Sequence, residues 1–150
     1  SITYLLHKQY IGSLTLKDLT IANGTFSNNV IDGDSITIEN VSFIDVATDE
    51  YIIYSGGDSA FITNCKFINN TAENGGAIYF DNTGNVENCN FTDNHAYRGA
   101  ALNGGEAYNC IFINNSAGQD GGGIFDGKAY DCTFIGNSAN FGGAFYKNEA

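Results

Sequence analysis

Four cysteines, Cys65, Cys89, Cys110 and Cys132, are the residues of this chain best suited to redox or metal chemistry. Zinc sites usually bring thiolates in close pairs such as C-x2-C. These stand 24, 21 and 22 residues apart. If that interval is one turn of a stacked fold, neighbouring cysteines lie about 4.8 Å apart, within reach of a disulfide. Bridges Cys65–Cys89 and Cys110–Cys132 are then one reading. Reduced thiols filling a compact apolar column are the other. Leu19 and Val41 occupy the same column lower down, which favours the second.

Acid–base chemistry has less to work with. Cleavage of polysaccharides takes paired carboxylates, or calcium together with a base. Asp45 and Asp93 share a position in the pattern described below, but Asn69 lies between them. Arg98 is the one arginine, and His7 and His95 fall at different positions of the pattern. "DGDS" at Asp32 and "QDGGGIFDGK" around Asp120 and Asp126 resemble oxygen-rich turns. They lack the spacing of a calcium loop and read as solvated turns. The expectation is a chain that is not an enzyme and uses no metal or cofactor. Sequons at Asn23, Asn40, Asn69, Asn90 and Asn114 offer glycan attachment, although so Asn-rich a chain also generates sequons by chance.

A repeat places these residues. Taking Ile21, Phe43, Phe67, Phe91, Phe112 and Phe134 as a ruler gives six turns of 21–24 residues. Two residues before the ruler lie Leu19, Val41 and the four cysteines. Five before it lie Leu16, Ile38, Ile62, Val86, Ala107 and Ala129. Apolar residues alternating in steps of two mark strands with one buried face, and the two-residue break between these columns marks a corner. Three after the ruler come Asn70, Asn94, Asn115 and Asn137. Asn tolerates left-handed backbone at a turn, and stacked Asn can bond one another as a ladder. Glycines at Gly75, Gly99, Gly121 and Gly142 then permit a sharp bend. One column is ambiguous. Ile44, Ile68, Ile113 and Ile135 follow the ruler, with Thr92 among them. They form either an exposed apolar stripe or the start of a turn tucked under the Asn corner, and the corner beginning at the next residue favours the turn.

The predicted fold is all-β: one right-handed parallel β-helix of about six coils over residues 1–150. Six coils make a rod about 29 Å long. Leucine-rich repeats share the period but want fixed leucines and a helical side. "SITYLL" and "QYIGSLTL" read as an irregular first coil. Because the chain begins with Ser1 rather than Met, a fragment of a longer repeat protein is expected.

"FINN…GGAI" at Phe67, "FTDN…GAAL" at Phe91, "FINN…GGGI" at Phe112 and "FIGN…GGAF" at Phe134 resemble the repeats of chlamydial polymorphic outer-membrane proteins. They are similar also to adhesin-like surface proteins of methanogenic archaea, which are Asn-rich β-helices. The resemblance spans roughly Val41 to the end; the coils around Ile21 and Phe43 lack the glycine pair. It implies an extracellular or cell-surface location and adhesion.

Charge narrows the partners. The net charge is −11, with 17 acidic residues against 6 basic ones. That excludes nucleic acid, whose phosphates call for Lys and Arg. No apolar run reaches the ~18–20 residues of a membrane span, so no direct insertion is expected. The expected function is a non-catalytic surface adhesin or stalk presenting a rigid acidic face to a protein or glycan. Alternatives are a filament subunit stacking on copies of itself through uncapped ends, and a polysaccharide-binding or -cleaving β-helix. For the last, Tyr79, Tyr97, Tyr108 and Tyr130 are the aromatics that a sugar groove would use.

Overall fold

The computed structural model describes residues 6–147, with side chains from residue 13. Every strand pairing in it is parallel, and every pairing links one turn of the repeat to the next. The ruler holds throughout: Ile21 pairs with Phe43, Phe43 with Phe67, Phe67 with Phe91, Phe91 with Phe112 and Phe112 with Phe134.

Each coil contributes to four ladders. The first comprises Asn85–Glu87, Glu106–Tyr108 and Lys128–Tyr130. The second, carrying the ruler, comprises Lys66–Ile68, Asn90–Thr92, Ile111–Ile113 and Thr133–Ile135. The third is short: Thr71–Ala72, His95–Ala96 and Ser116–Ala117. The fourth comprises Ile78–Phe80, Leu102–Asn103, Ile124–Phe125 and Phe145–Tyr146. Earlier in the chain the ladders fuse into the long strands Leu6–Ala22, Ile31–Ile44 and Ile53–Thr63. The register slips between Lys8 and Ser13, which gives the expected first-coil irregularity a location.

The interior is a set of columns. Phe43, Phe67, Phe91 and Phe112 are completely buried. Their rings stack at centroid distances of 5.0, 4.8 and 4.9 Å, nearly parallel, and Phe134 continues the stack at 4.8 Å. That spacing is set by the strands and exceeds the contact distance of flat rings, roughly 3.5–4.0 Å. The rings are therefore inclined to the axis, the offset arrangement that aromatic quadrupoles prefer. Cys65, Cys89 and Cys110 fill the next column, with Cys132 half-buried at its end. All four are free thiols. Each donates to the carbonyl two residues before it, on Thr63, Glu87, Tyr108 and Tyr130. The Cys89 thiol is pushed up, by its hydrogen bonds to the Cys110 and Cys65 thiols first and by burial after them.

The corners correct the sequence reading. Asn70, Asn94, Asn115 and Asn137 are not the left-handed residues. Those lie one position earlier in the repeat: Asn69, Asp93, Asn114 and Gly136, with Asn23 and Asp45 at the same position in the earlier coils. A second left-handed column, Asp18, Asn40, Asn64, Asn88, Asn109 and Asp131, makes the other corner. Single left-handed residues turn the chain sharply between strands, and Asn and Asp tolerate that backbone because their short side chains bond locally. Asn70, Asn94 and Asn115 instead turn inward and are buried. In the glycine bend the left-handed residue is Gly76 rather than Gly75, aligned with Gly99, Gly121 and Gly142. At Gly99 a β-carbon would stand 2.9 Å from the Leu102 carbonyl oxygen, so space as well as backbone angle demands glycine.

The isoleucine column is also corrected. Ile44, Ile68, Ile113 and Ile135 belong to strands, each paired with its neighbour through Thr92, and they point outward. Mutual cover leaves Ile44, Ile68 and Ile113 half-buried; Ile135 is 54% exposed.

Candidate functional site

The inward asparagines form a continuous amide ladder. Asn70 donates through Nδ2 to Asn94 Oδ1 at 3.0 Å, Asn94 to Asn115 at 2.9 Å and Asn115 to Asn137 at 2.9 Å. The same oxygens accept from the backbone N–H of the preceding coil's Asn, as Asn94 Oδ1 does from Asn70 at 3.2 Å. The second amide hydrogen goes to the carbonyl of a ruler residue, Phe43, Phe67, Phe91 or Phe112. A buried amide must satisfy all its groups or cost stability, and here stacking satisfies them. This column is scaffold.

The outer surface holds the remaining sequence candidates. Asn23, Asn69 and Asn114 share one exposed corner with Asp45 and Asp93, and Asn40 sits on the other. Asn69 donates to Asp45 and Asn40 to Asp18, both at 2.7 Å. Asn90 lies in a strand, and its Oδ1 accepts from Thr92 at 2.7 Å. His95 Nδ1 lies 2.8 Å from Ser116 Oγ; the side chain of His7 is outside the described residues. Asp120 pairs with Arg98 at 3.3 Å. Among the described residues, no group of three or more His, Cys, Asp or Glu is placed to hold a metal ion.

The four tyrosines singled out from the sequence do not form one row. Tyr108 and Tyr130 stack at 4.8 Å on the first ladder. Tyr97 lies beneath Arg98, whose guanidinium carbon is 5.8 Å from its ring. Tyr79 belongs to a different group, on the outward column of the fourth ladder. Register there runs Asp32, Tyr54, Tyr79, Asn103, Phe125, Tyr146. Tyr79 stacks on Tyr54 at 5.6 Å and on Tyr51 at 4.6 Å, and Phe125 on Tyr146 at 5.7 Å. Asn103 interrupts the aromatic column and floors a cleft of about 330 Å³ between its two halves. Arg98 stands at this cleft, its guanidinium carbon 5.8 Å from the Phe125 ring. Asp81 and Asp126 also line it.

With register and repeat in place, comparison with known families decides the class. The family described as "Right handed beta helix region" matches residues 6–149. The chain belongs to that family. No curated protein and no solved structure matches it. For this right-handed β-helix, then, the residues of the cleft have to speak for themselves.

The cleft was partly legible. Each of its wall residues follows an inward aliphatic or aromatic, as in Ile53-Tyr54, Ile78-Tyr79, Leu102-Asn103, Ile124-Phe125 and Phe145-Tyr146. Aligning on that residue rather than on the ruler would have found the column. Between the two alignments the link varies in length, from one residue at Asp34 to four at 81–84.

Tyr79 also reports on its surroundings. Its phenol is pushed up to about 12, by burial first and then by the Asp81 carboxylate, to which it donates at 3.2 Å. A phenol harder to ionise in the folded state stabilises the fold fully below its ordinary value of 10.0 and loses that contribution as pH rises to about 12. Tyr108, held by Glu106, titrates in the same range. Tyr79→Phe should therefore remove part, not all, of the alkaline loss of stability, read as melting temperature against pH with phenolate absorbance in parallel.

Proposed function

We propose that this β-helix is a non-catalytic segment of an extracellular adhesin or stalk, holding a rigid acidic surface toward a glycan or protein on a cell surface. The observation that carries the reading is how its outward charges are spent. Lys17 holds Glu39 at 2.6 Å, Lys128 holds Glu106 at 2.7 Å, and Arg98 holds Asp120 at 3.3 Å. Asn40 and Asn69 hold Asp18 and Asp45. Each bond ties one coil to the next. Exposed pairs of this kind add little stability singly, but they align side chains along the rod axis. Groups so engaged suit a stiff surface better than proton transfer. The resemblance of the repeats to surface adhesins points the same way.

The test has two parts. Incubated with polygalacturonate or alginate, with and without calcium, the protein should leave chain length unchanged. On intact source cells it should be accessible to added protease. Release of new reducing or unsaturated ends, or protection from protease until lysis, would overturn the proposal.

A further inference from the structure

The gap in the outer aromatic column deepens that reading, on which it rests. We infer that the cleft over Asn103 binds one neutral pyranose ring of a glycan, sandwiched between Tyr79 and Phe125.

The argument begins with spacing. Tyr79, Asn103 and Phe125 occupy consecutive rungs. Tyr79 and Phe125 are thus two strand spacings apart, about 9.6 Å. A guest ring midway lies about 4.8 Å from each. That matches the ring-to-ring distances this protein uses elsewhere, 4.6 Å for Tyr51 on Tyr79 and 4.8 Å for Tyr108 on Tyr130. The column thus lacks one ring between two aromatic residues, with the Arg98 guanidinium at the Phe125 side, 5.8 Å from that ring. Both rings are held by stacking, Tyr79 on Tyr54 and on Tyr51, which also lines the cleft, and Phe125 on Tyr146.

The polar groups define the guest. Asn103 differs from the ladder asparagines in that its amide makes no hydrogen bond to protein among the described residues, although it is half-buried. A donor and an acceptor are therefore free at the floor of the cleft. Among the described residues the Asp126 carboxylate at the rim is also unpaired, while Asp81 accepts from Tyr79 at 3.2 Å and faces Tyr54 as well. Arg98 places Nε and one Nη on Gln119, at 3.1 and 2.9 Å, leaving its other Nη. Free donors and free acceptors around two apolar faces suit a ring with C–H faces and hydroxyl edges. An aromatic guest would cover these groups without bonding them, which costs free energy. An anionic sugar would meet two carboxylates on a chain of net charge −11, and Arg98, already paired with Asp120, does not offset them.

Saturation-transfer NMR with neutral glucan-, mannan- and galactan-derived oligosaccharides, and with oligogalacturonate as the anionic arm, tests this. The natural chain should transfer saturation to the ring protons of at least one neutral probe and not to oligogalacturonate. Asn103→Tyr fills the empty rung with the residue its neighbour carries. It should weaken binding at least tenfold while leaving the melting temperature unchanged or raised. Phe125→Ala should weaken binding similarly, and Tyr130→Ala, on the first ladder, should not. Binding undiminished by Asn103→Tyr and Phe125→Ala, binding of oligogalacturonate alone, or no binding of any probe would overturn the inference. None of these outcomes touches the surface-exposure and non-cleavage results on which the stalk reading stands.

Discussion

Asn94→Ala should cost roughly 3–5 kcal/mol, far more than its size suggests, and should do so without removing any apolar contact. Asn94 is 1% exposed. Its side chain accepts from the N–H and the amide of Asn70, and donates to the Phe67 carbonyl and to Asn115. Alanine leaves buried groups on two neighbouring coils unpaired at about 1–3 kcal/mol each. Urea unfolding would show the midpoint falling by a large part of a domain stability that typically totals about 5–15 kcal/mol. Asn69→Ala, one residue earlier in the equivalent turn, loses an exposed bond to Asp45 and a favourable left-handed residue. It should shift the midpoint far less. Equal shifts for the two would mean that the amide ladder is not what secures this corner.

The second large effect is at the ruler. Phe91→Asp should abolish the folded state. Its ring is fully buried, 4.8 Å from Phe67 and 4.9 Å from Phe112. Loss of a buried Phe alone costs about 3–5 kcal/mol. A carboxylate in its place would have no cation nearby and would add several more. Phe61→Asp is the matched control, since Phe61 is 48% exposed on the outside of its strand. Circular dichroism should show the β signal lost in the first variant and kept in the second. Because no coil can bury its inner face alone, the loss should reach the coils on both sides together. A protein that kept most of its β signal with Phe91→Asp would show coils folding independently.

The inward side of this fold was readable from the sequence because it obeys one repeat. Each inward position must meet its equivalents one strand spacing away, so Phe67, Cys65 and Ile62 carry the same apolar character as their neighbours in register. The corners were readable only to within a residue. "NN" at Asn69-Asn70 and at Asn114-Asn115 sets a left-handed residue beside a buried one, and both roles suit asparagine. Only the Asp and Gly that replace the first of the pair, at Asp45, Asp93 and Gly136, distinguish them; no such replacement occurs in the second column from Asn70 to Asn137. The cleft was least readable. It arises where the outer column breaks its own pattern at Asn103, and its side comes from Arg98, at the glycine bend. An outward position faces solvent and owes nothing to a repeat, so register is needed to see that Tyr79 and Phe125 flank Asn103 on neighbouring rungs.

The amide ladder also has a direction. Each Nδ2 reaches toward the C-terminal neighbour and each Oδ1 is met from the N-terminal one. A stretch of one period copied in tandem therefore brings an acceptor to the join on one side and a donor on the other. Such a protein can lengthen by whole turns through duplication, whereas a segment inserted back to front would set donor against donor.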